Sequence, residues 1–136
     1  EFQHGTACDP VVVDGDYAFV TLRGGNGCGA TESGLFIVDI SDIHTPELLI
    51  SYPMDEPYGL GIRGEQLFIC DGASGLKVYD KSNVTDLQQL AVFDDVNPYD
   101  VIPLEPHLLM GGEGLLSQYR YTEAGLEFLS ALSLAD

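Results

Sequence analysis

The chain has 136 residues, room for one domain, and its 45% hydrophobic against 20% charged residues indicates a buried core rather than disorder. Its 22 acidic residues against 5 lysines and arginines give a formal net charge of −17, which disfavours nucleic acids and anionic lipid surfaces as partners. The sequence contains no run of about 18 apolar residues, so it predicts no membrane span.

A repeat with a period of 41 residues runs along the chain. Residues 34–41 align with residues 75–82, and residues 57–60 align with residues 98–101 at the same offset. A weaker third copy of the first landmark lies at residues 114–120. Two independent landmarks with one period indicate a repeat architecture, so the elements are best assigned copy by copy.

Each copy is predicted to form four short strands, which are rich in aliphatic and aromatic residues and bounded by Gly, Asp, Asn and Pro. In chain order the predicted strands are 11–13, 17–22, 35–40, 47–52, 59–62, 66–70, 76–80, 88–93, 100–103, 107–110, 116–121 and 126–132. Gly15 and Gly64 predict tight hairpins between the first two strands of their copies. Residues 122–132 also fit a short helix, but their place in the repeat favours a turn and a strand.

Four strands in about 40 residues are typical of a β-propeller blade. The predicted fold is therefore all-β, with three four-stranded antiparallel blades that form part of a larger ring or close by oligomerisation. Residues 1–8 read as a lead-in from a preceding blade or a cut N-terminus; residues 9–57 are blade 1, residues 58–98 blade 2 and residues 99–136 blade 3. Because a closed ring needs about four to eight blades, the expected partners are the remaining blades or a second copy of the chain.

The repeat resembles that of the LVIVD-repeat proteins. The motif that names this family stands here as Leu35-Phe36-Ile37-Val38-Asp39, and in degenerate form as Leu76-Lys77-Val78-Tyr79-Asp80. The third copy carries Arg120 in place of the aspartate. The resemblance implies a propeller in a bacterial surface protein or lipoprotein, located outside the cytoplasm, and it implies no established reaction.

Strands of a blade alternate in direction, so the loops before strand 1 and between strands 2 and 3 share one side of the ring, here called the first face. The two other hairpin loops of each blade lie at the opposite side, the second face. Blade 1 has an insertion at the first face, since 12 positions separate Leu22 from Gly34 whereas 4 separate Asp71 from Gly75. Such loops often carry binding function, although surface insertions are also tolerated without one. The binding candidates at this face are Asp9, Arg23, Asn26, Glu32, Tyr58, Asp71, Tyr99, Asp100 and Glu113.

The cysteines and tyrosines of this face each have two interpretations. Cys8 and Cys28 are predicted to form a disulfide, which would pin the long loop to the blade; the alternative is two free thiols. Tyr58 and Tyr99 either present their rings to a ligand or pack between blades. Cys70 aligns with Thr21 inside a strand and is expected to be a small buried residue.

Metal and catalytic motifs are weak. No metal site or cofactor is predicted; calcium is the one ion that the acidic first face suits, but the sequence has no compact calcium loop. Asp39 and Asp80 are repeat equivalents, and their carboxylates are expected to accept backbone N–H groups in the turn that follows. No nucleophile elbow or phosphate loop is present.

The predicted function is a non-catalytic binding or scaffold module of a bacterial cell-surface or periplasmic propeller protein. Its expected partners besides other blades are another protein or a carbohydrate. The alternatives are an architectural subunit fragment of a larger complex, and a hydrolase or lyase with an acidic site in the channel.

Overall fold

A computed structural model describes residues 10–23, 33–112, 114–123 and 125–134. Strands dominate these residues, with one turn of 3₁₀ helix at Gly72–Ser74. In chain order the strands are β1 Val11–Asp14, β2 Tyr17–Leu22, β3 Gly34–Asp39, β4 Glu47–Pro53, β5 Leu60–Arg63, β6 Gln66–Cys70, β7 Leu76–Asp80, β8 Gln88–Phe93, β9 Asp100–Pro103, β10 His107–Gly112, β11 Leu115–Thr122 and β12 Gly125–Ser133. In the described part of the chain, no helix is long and apolar enough to cross a membrane.

The strands form three antiparallel sheets, each of four sequence-consecutive strands in meander order. The tight hairpins between the first two strands of blades 1 and 2 are confirmed, with Gly15 at φ 61° and Gly64 at φ 59°. The strand assignment of residues 126–132 is also confirmed, because β12 pairs along β11. The predicted all-β, propeller-type blades are therefore the fold of the chain.

The blades pack side to side, with β5 of blade 2 lying between β1 and β9. Side chains alternate across β6: Leu67 and Ile69 point towards blade 1, whereas Phe68 and Cys70 point towards blade 3. We call the two contacts seam 1 (blades 1 and 2) and seam 2 (blades 2 and 3). The buried core of seam 1 consists of Phe19, Leu35, Ile37, Met54, Leu60, Leu67 and Ile69. The buried core of seam 2 consists of Phe68, Cys70, Leu76, Val78, Val101, Leu108 and Met110.

At the second face, each seam is bridged by a cation from blade 2. Across seam 1 the Lys81 ammonium contacts the Asp14 carboxylate of blade 1, and it also lies 3.1 Å from the Glu65 carboxylate. Across seam 2 the Arg63 guanidinium contacts Glu105 of blade 3 and lies 3.8 Å above the ring of Tyr121. The ladder places Arg63 in blade 2 where Asp14 stands in blade 1, so the same position carries opposite charges in the two seams.

The turns after β3 and β7 share one hydrogen-bonding scheme. Asp39 accepts the Ser41 N–H at 2.8 Å, and Asp80 accepts the Ser82 N–H at 2.9 Å. This confirms the structural role expected for the two aspartates. Their hydrogen bonds to Ser41 and Ser82 lower the pKa of both carboxyl groups.

The three blades form an arc with two free sides. On the free side of blade 1, Ala18 and Val20 are buried while apolar residues around them are exposed. On the free side of blade 3, exposed residues lie on β9, β11 and β12, whereas Leu109 of β10 is half-buried. The exposed apolar residues of these sides include Val11, Val13, Leu48, Ile102, Leu116 and Leu132. Neither side meets another described blade.

Candidate functional site

A row of three side chains occupies the first face where the inner strands begin. The Arg23 guanidinium lies 4.2 Å from the centre of the Tyr58 ring, and that ring lies 4.8 Å from the ring of Tyr99, tilted by 58°. Arg23 follows β2 of blade 1, Tyr58 precedes β5 of blade 2, and Tyr99 precedes β9 of blade 3. The row therefore takes one residue from each blade, and we call it the Arg–Tyr–Tyr row.

The backbone fixes this row to the core. Thr21 donates its hydroxyl to the Tyr58 carbonyl at 2.6 Å, and the Tyr58 N–H donates to the Cys70 carbonyl at 2.7 Å. The next N–H, of Gly59, donates to the Tyr99 carbonyl at 2.9 Å and so ties blade 2 to blade 3. Pro57 and Pro98 precede the two tyrosines and are fully buried. Each Pro-Tyr pair thus anchors one residue and presents the next one.

The row is accessible and polar at its edges. Tyr99 is 43% exposed, and Asp100 beside it is also exposed, with one carboxylate oxygen accepting the Val101 N–H at 2.9 Å. Burial raises the pKa of Tyr58; Glu56 adds to the shift and the Arg23 charge opposes it. Ring faces, guanidinium donors and a carboxylate in one row suit recognition by stacking and hydrogen bonding.

Among the first-face candidates that the structure describes, Asp71 differs from the others because its side chain is fully buried. Its carboxylate accepts the Asp55 N–H at 3.2 Å and the Glu56 N–H at 2.7 Å, and it pairs with the Lys77 ammonium at 2.6 Å. Asp71 was predicted as a binding candidate of the first face, and its buried carboxylate is occupied by these three partners. Asp71 holds the segment that leads from blade 1 to blade 2 against blade 2.

The remaining first-face candidates, Asp9, Asn26, Glu32 and Glu113, lie outside the described residues, as does the predicted Cys8–Cys28 disulfide. Among the residues that are described, no group of three or more His, Cys, Asp or Glu side chains is placed to hold a metal ion. Of the nine candidates, the structure brings together Arg23, Tyr58, Tyr99 and Asp100.

The structural cations were missed from the sequence. All five lysines and arginines of the chain are described, and each contacts an acidic side chain or an aromatic ring. A signal was available, since a cation retained in a chain of net charge −17 is surrounded by acidic partners. The scarcity of basic residues could have identified Lys77, Lys81, Arg63 and Arg120 as paired residues.

Cys70 is buried, as expected, and its surroundings make the thiol unreactive. Its side chain has no solvent exposure, and burial, with a smaller contribution from the Asp100 charge, raises the pKa of the thiol far above its ordinary value. A thiol held protonated in this way is a poor nucleophile and a poor metal ligand. The free cysteine of the core is therefore a packing residue.

Comparison with known proteins gives a repeat match in the first part of the chain and a fold. Residues 4–53 match the model of the LVIVD repeat. The chain is similar to the N-terminal domain of Nup159 (TM-score 0.53, 17% identity, 91% of this chain and 30% of that chain). It is also similar to a chain in the S. cerevisiae complex of Dbp5 with Nup159, Gle1, IP6 and ADP (TM-score 0.52, 17% identity, with the same coverage). Such low identity shows the fold alone, and the chain spans less than a third of either matched chain. No curated protein matches the chain.

Proposed function

We propose that this chain, which carries an LVIVD repeat and folds as β-propeller blades, is a non-catalytic binding or scaffold module of a bacterial cell-surface or periplasmic protein. The location is supported by the family resemblance of the repeat. A propeller that stacks blades around a rigid core offers loops on a fixed frame, which is the arrangement that repeat proteins use for binding.

The observation that carries the proposal is the Arg–Tyr–Tyr row at the first face. It is built from all three blades and continues into the exposed carboxylate of Asp100. Arg23 is also the residue after which the long insertion of blade 1 follows, so the row and the insertion adjoin in the chain. Aromatic rings beside an arginine are the residue types that dominate binding hot spots.

The ligand we propose is another protein or a carbohydrate. Tyrosine rings stack on the apolar faces of either, and Arg23 and Asp100 supply a donor and an acceptor beside them. The net charge of −17 repels phosphates and steers basic partners towards the surface. No cofactor is needed for binding of this kind.

An architectural role is the second proposal, and the free sides of the arc favour it. Exposed apolar residues lie on the sides of blades 1 and 3 at positions that are buried in seams 1 and 2. Further blades, from the same protein or from a second copy, would cover them. A hydrolase or lyase has less support, because the fully buried carboxylate of Asp71 is committed to an ion pair and backbone N–H groups.

The test is an array of soluble oligosaccharides and peptides probed with the intact chain and three variants. Arg23→Ala and Tyr99→Ala remove parts of the row, and Phe128→Ala removes an exposed ring of blade 3 as a matched control. The proposal expects probes that the wild type and Phe128→Ala retain and that both row variants lose. Equal retention by all four proteins, or retention of no probe, contradicts binding through the row.

A further inference from the structure

Two residue positions at the second face join neighbouring blades. The first-hairpin position is the residue that enters the hairpin between strands 1 and 2, and its occupants in blades 1, 2 and 3 are Asp14, Arg63 and Leu104. The third-strand position follows the residue of strand 3 that pairs with the start of strand 2, and its occupants are Ile40, Lys81 and Tyr121. Within the arc, the first-hairpin residue of one blade contacts the third-strand residue of the next.

The pairs in seam 1 and seam 2 differ in chemistry and cannot exchange partners. Asp14 contacts the Lys81 ammonium across seam 1. Arg63 lies 3.8 Å above the Tyr121 ring across seam 2. Exchange would set Arg63 against Lys81, two like charges, and Asp14 against the electron-rich face of a ring. The residue at each first-hairpin position is therefore matched to the blade that follows it.

The two residues that these pairs leave over also match each other. Leu104 is 48% exposed on the free side of blade 3. Ile40 is the equivalent of Lys81, so it lies on the free side of blade 1, where it is half-buried. Both are aliphatic, whereas the four residues used inside the arc are charged or carry a hydroxyl. A charge opposite either one would lose its hydration without a partner, so an aliphatic residue is the fitting neighbour.

The inner strands also oppose fixed positions across each seam. Gly61 of blade 2 faces the Pro103 ring of blade 3 in seam 2, where an added Cβ would overlap that ring. The equivalent residues in seam 1 are Val12 and Ile62, and both pack against the seam 1 core. These two positions of strand 1 therefore meet wherever one blade follows another.

On the free sides, the same positions of strand 1 are held by Ile102 of blade 3 and Val13 of blade 1, which are 51% and 60% exposed. These are the residue types of the seam 1 pair with their places exchanged, so together they have the same volume. On strand 3, Leu116 is 36% exposed where Leu35 and Leu76 are fully buried in the seams. The free sides thus present, at seam positions, aliphatic side chains of the kind that a seam buries.

A turn of blade 1 has the shape of the turn that closes the outer end of seam 1. In blade 2 the turn at residues 83–86 presents Val84, which packs against the seam 1 core and accepts the Tyr52 hydroxyl at its carbonyl. The turn at residues 42–45 of blade 1 has the same closing hydrogen bond, from the N–H of its fourth residue to the carbonyl of its first, at 3.1 Å against 3.0 Å. It presents Ile43 at the position of Val84, and this side chain is 83% exposed. Blade 1 therefore carries the closing element of a further seam.

We propose that the free side of blade 3 packs against the free side of blade 1 of a second copy of this chain. The reverse contact forms in the same way, so two copies of three blades close one ring, within the range of about four to eight blades that propellers use. The inference rests on the architectural proposal above and names its partner. Blades of another sequence would place no requirement on the match between Leu104 and Ile40.

The proposed contact is weaker than the internal seams. Gln118 of blade 3 stands where Ile37 and Val78 are buried, and a glutamine amide loses hydration on entering an apolar contact. The net charge of −17 on each copy also opposes association, and salt screens this repulsion. The two-copy form is therefore expected to dissociate on dilution and to gain stability with added salt.

Sedimentation velocity of the intact chain over a range of concentrations tests the proposal. The wild type is expected to show one and two copies in a concentration-dependent balance, with no larger species. Leu104→Asp and Ile40→Lys each set a lone charge against an aliphatic residue in both contacts and are expected to raise the dissociation constant at least about tenfold. Leu90→Asp adds a charge to an exposed position of the middle blade, away from both free sides, and is expected to change the dissociation constant less than about twofold.

A mixture of the two single variants gives the sharpest result. When one Leu104→Asp chain pairs with one Ile40→Lys chain, one contact joins the new carboxylate to the new ammonium, as Asp14 and Lys81 are joined in seam 1. The other contact keeps the original leucine and isoleucine. The mixture is therefore expected to recover the two-copy form, with one chain of each kind. Because recovery requires folded chains, it also separates loss of contact from loss of fold.

The proposal is overturned when the wild type stays a single copy at every concentration, or when it forms assemblies of more than two copies. It is also overturned when Leu104→Asp and Leu90→Asp associate equally, or when the mixed variants stay apart. Equal association would contradict this seam and leave the architectural role standing. Tyr99→Ala in the Arg–Tyr–Tyr row is expected to leave association unchanged, so ligand binding through the row and pairing of copies fail separately.

Discussion

Seam 1 and seam 2 are built from the same strand positions but are completed in different ways. Both bury a leucine from strand 3 and a phenylalanine from strand 2 of the preceding blade, namely Leu35 and Phe19 in seam 1 and Leu76 and Phe68 in seam 2. Seam 1 is then closed by a seven-residue loop and a tyrosine hydroxyl, whereas seam 2 ends in a two-residue turn and an open cleft. The buried strand positions are therefore equivalent in the two seams, and the seams differ in the loops at their outer ends.

Loop length gives the blades of this chain different surfaces on the same fold. At the second face, a short connection between β11 and β12 accompanies the cleft in seam 2, and at the first face the insertion of blade 1 follows Arg23. Neither change disturbs the ladder of the blade that carries it, because every strand pair of the three sheets is present. Binding function is therefore sought at the loops rather than at the strands.

Asp71→Ala is expected to have the largest effect on stability. The change leaves the Lys77 ammonium, whose side chain is 18% exposed, without its partner, and it orphans the N–H groups of Asp55 and Glu56. Loss of one partner of a buried ion pair costs about 3–5 kcal/mol of unfolding free energy. Urea unfolding measures it, with the exposed Asp95→Ala as the control. A loss no greater than that of the control contradicts a structural role for Asp71.

Tyr52→Phe and Tyr121→Phe compare the sealed seam with the open one. Removing the Tyr52 hydroxyl breaks its bonds to Val84 and Leu87 and is expected to cost about 1–2 kcal/mol. Removing the unpartnered Tyr121 hydroxyl is expected to change the unfolding free energy by less than about 0.5 kcal/mol. Urea unfolding of the two variants measures both free energies. Equal losses of unfolding free energy would contradict a difference between the two seams.

Alkaline pH is expected to weaken seam 1 through Lys77 and Lys81. Burial lowers the pKa of each ammonium, but the hydrogen bonds and charges of their carboxylate partners outweigh it, so both pKa values are raised above 10.5 in the folded chain. The stability they contribute is present in full below 10.5 and is lost as pH rises through the folded values. Urea midpoints between pH 9 and pH 12 measure this loss of stability. With both lysines replaced by methionine, the loss of unfolding free energy above pH 10.5 that they cause is expected to disappear.

Arg63→Lys is expected to have a small effect, confined to seam 2. Lysine keeps the charge opposite Glu105 but loses the flat guanidinium that stacks on Tyr121. The expected loss is about 0.5–1 kcal/mol, the range for cation–π contacts at partly exposed sites. Thermal unfolding of this variant beside Arg120→Lys, whose pair with Glu127 is exposed, checks it. A larger loss for Arg120→Lys would show that the ring contact is not the stabilising element.

The strands were predictable because each is a short apolar run at a fixed place in a 41-residue period. Residues 122–132 show the value of the period, since their composition also fits a helix and the repeat position decided for β12. The bounds moved by one or two residues at most, as in β10, which continues through Gly111 and Gly112 to pair with β11. Ladder pairing, a tertiary property, sets such ends.

The candidate site was predictable in part. Arg23, Tyr58, Tyr99 and Asp100 were assigned to one face from strand direction alone, and the structure brings them together. The burial of Asp71 was not predicted, because an aspartate that follows a strand looks the same whether it faces solvent or a lysine. The seam 2 cleft was also missed: loop lengths are visible in the sequence, but the packing of Val84 against Tyr52 is not.

The central claim is that the module binds its ligand through the Arg–Tyr–Tyr row, and amide shift mapping tests it most directly. The labelled chain is titrated with a probe that the array retains, and the shifts are placed on the blades. We expect the largest shifts at Arg23, Tyr58, Tyr99 and Asp100, and small ones at Lys81 and Arg63 on the second face. Shifts confined to the second face, with the row unmoved, would contradict the account.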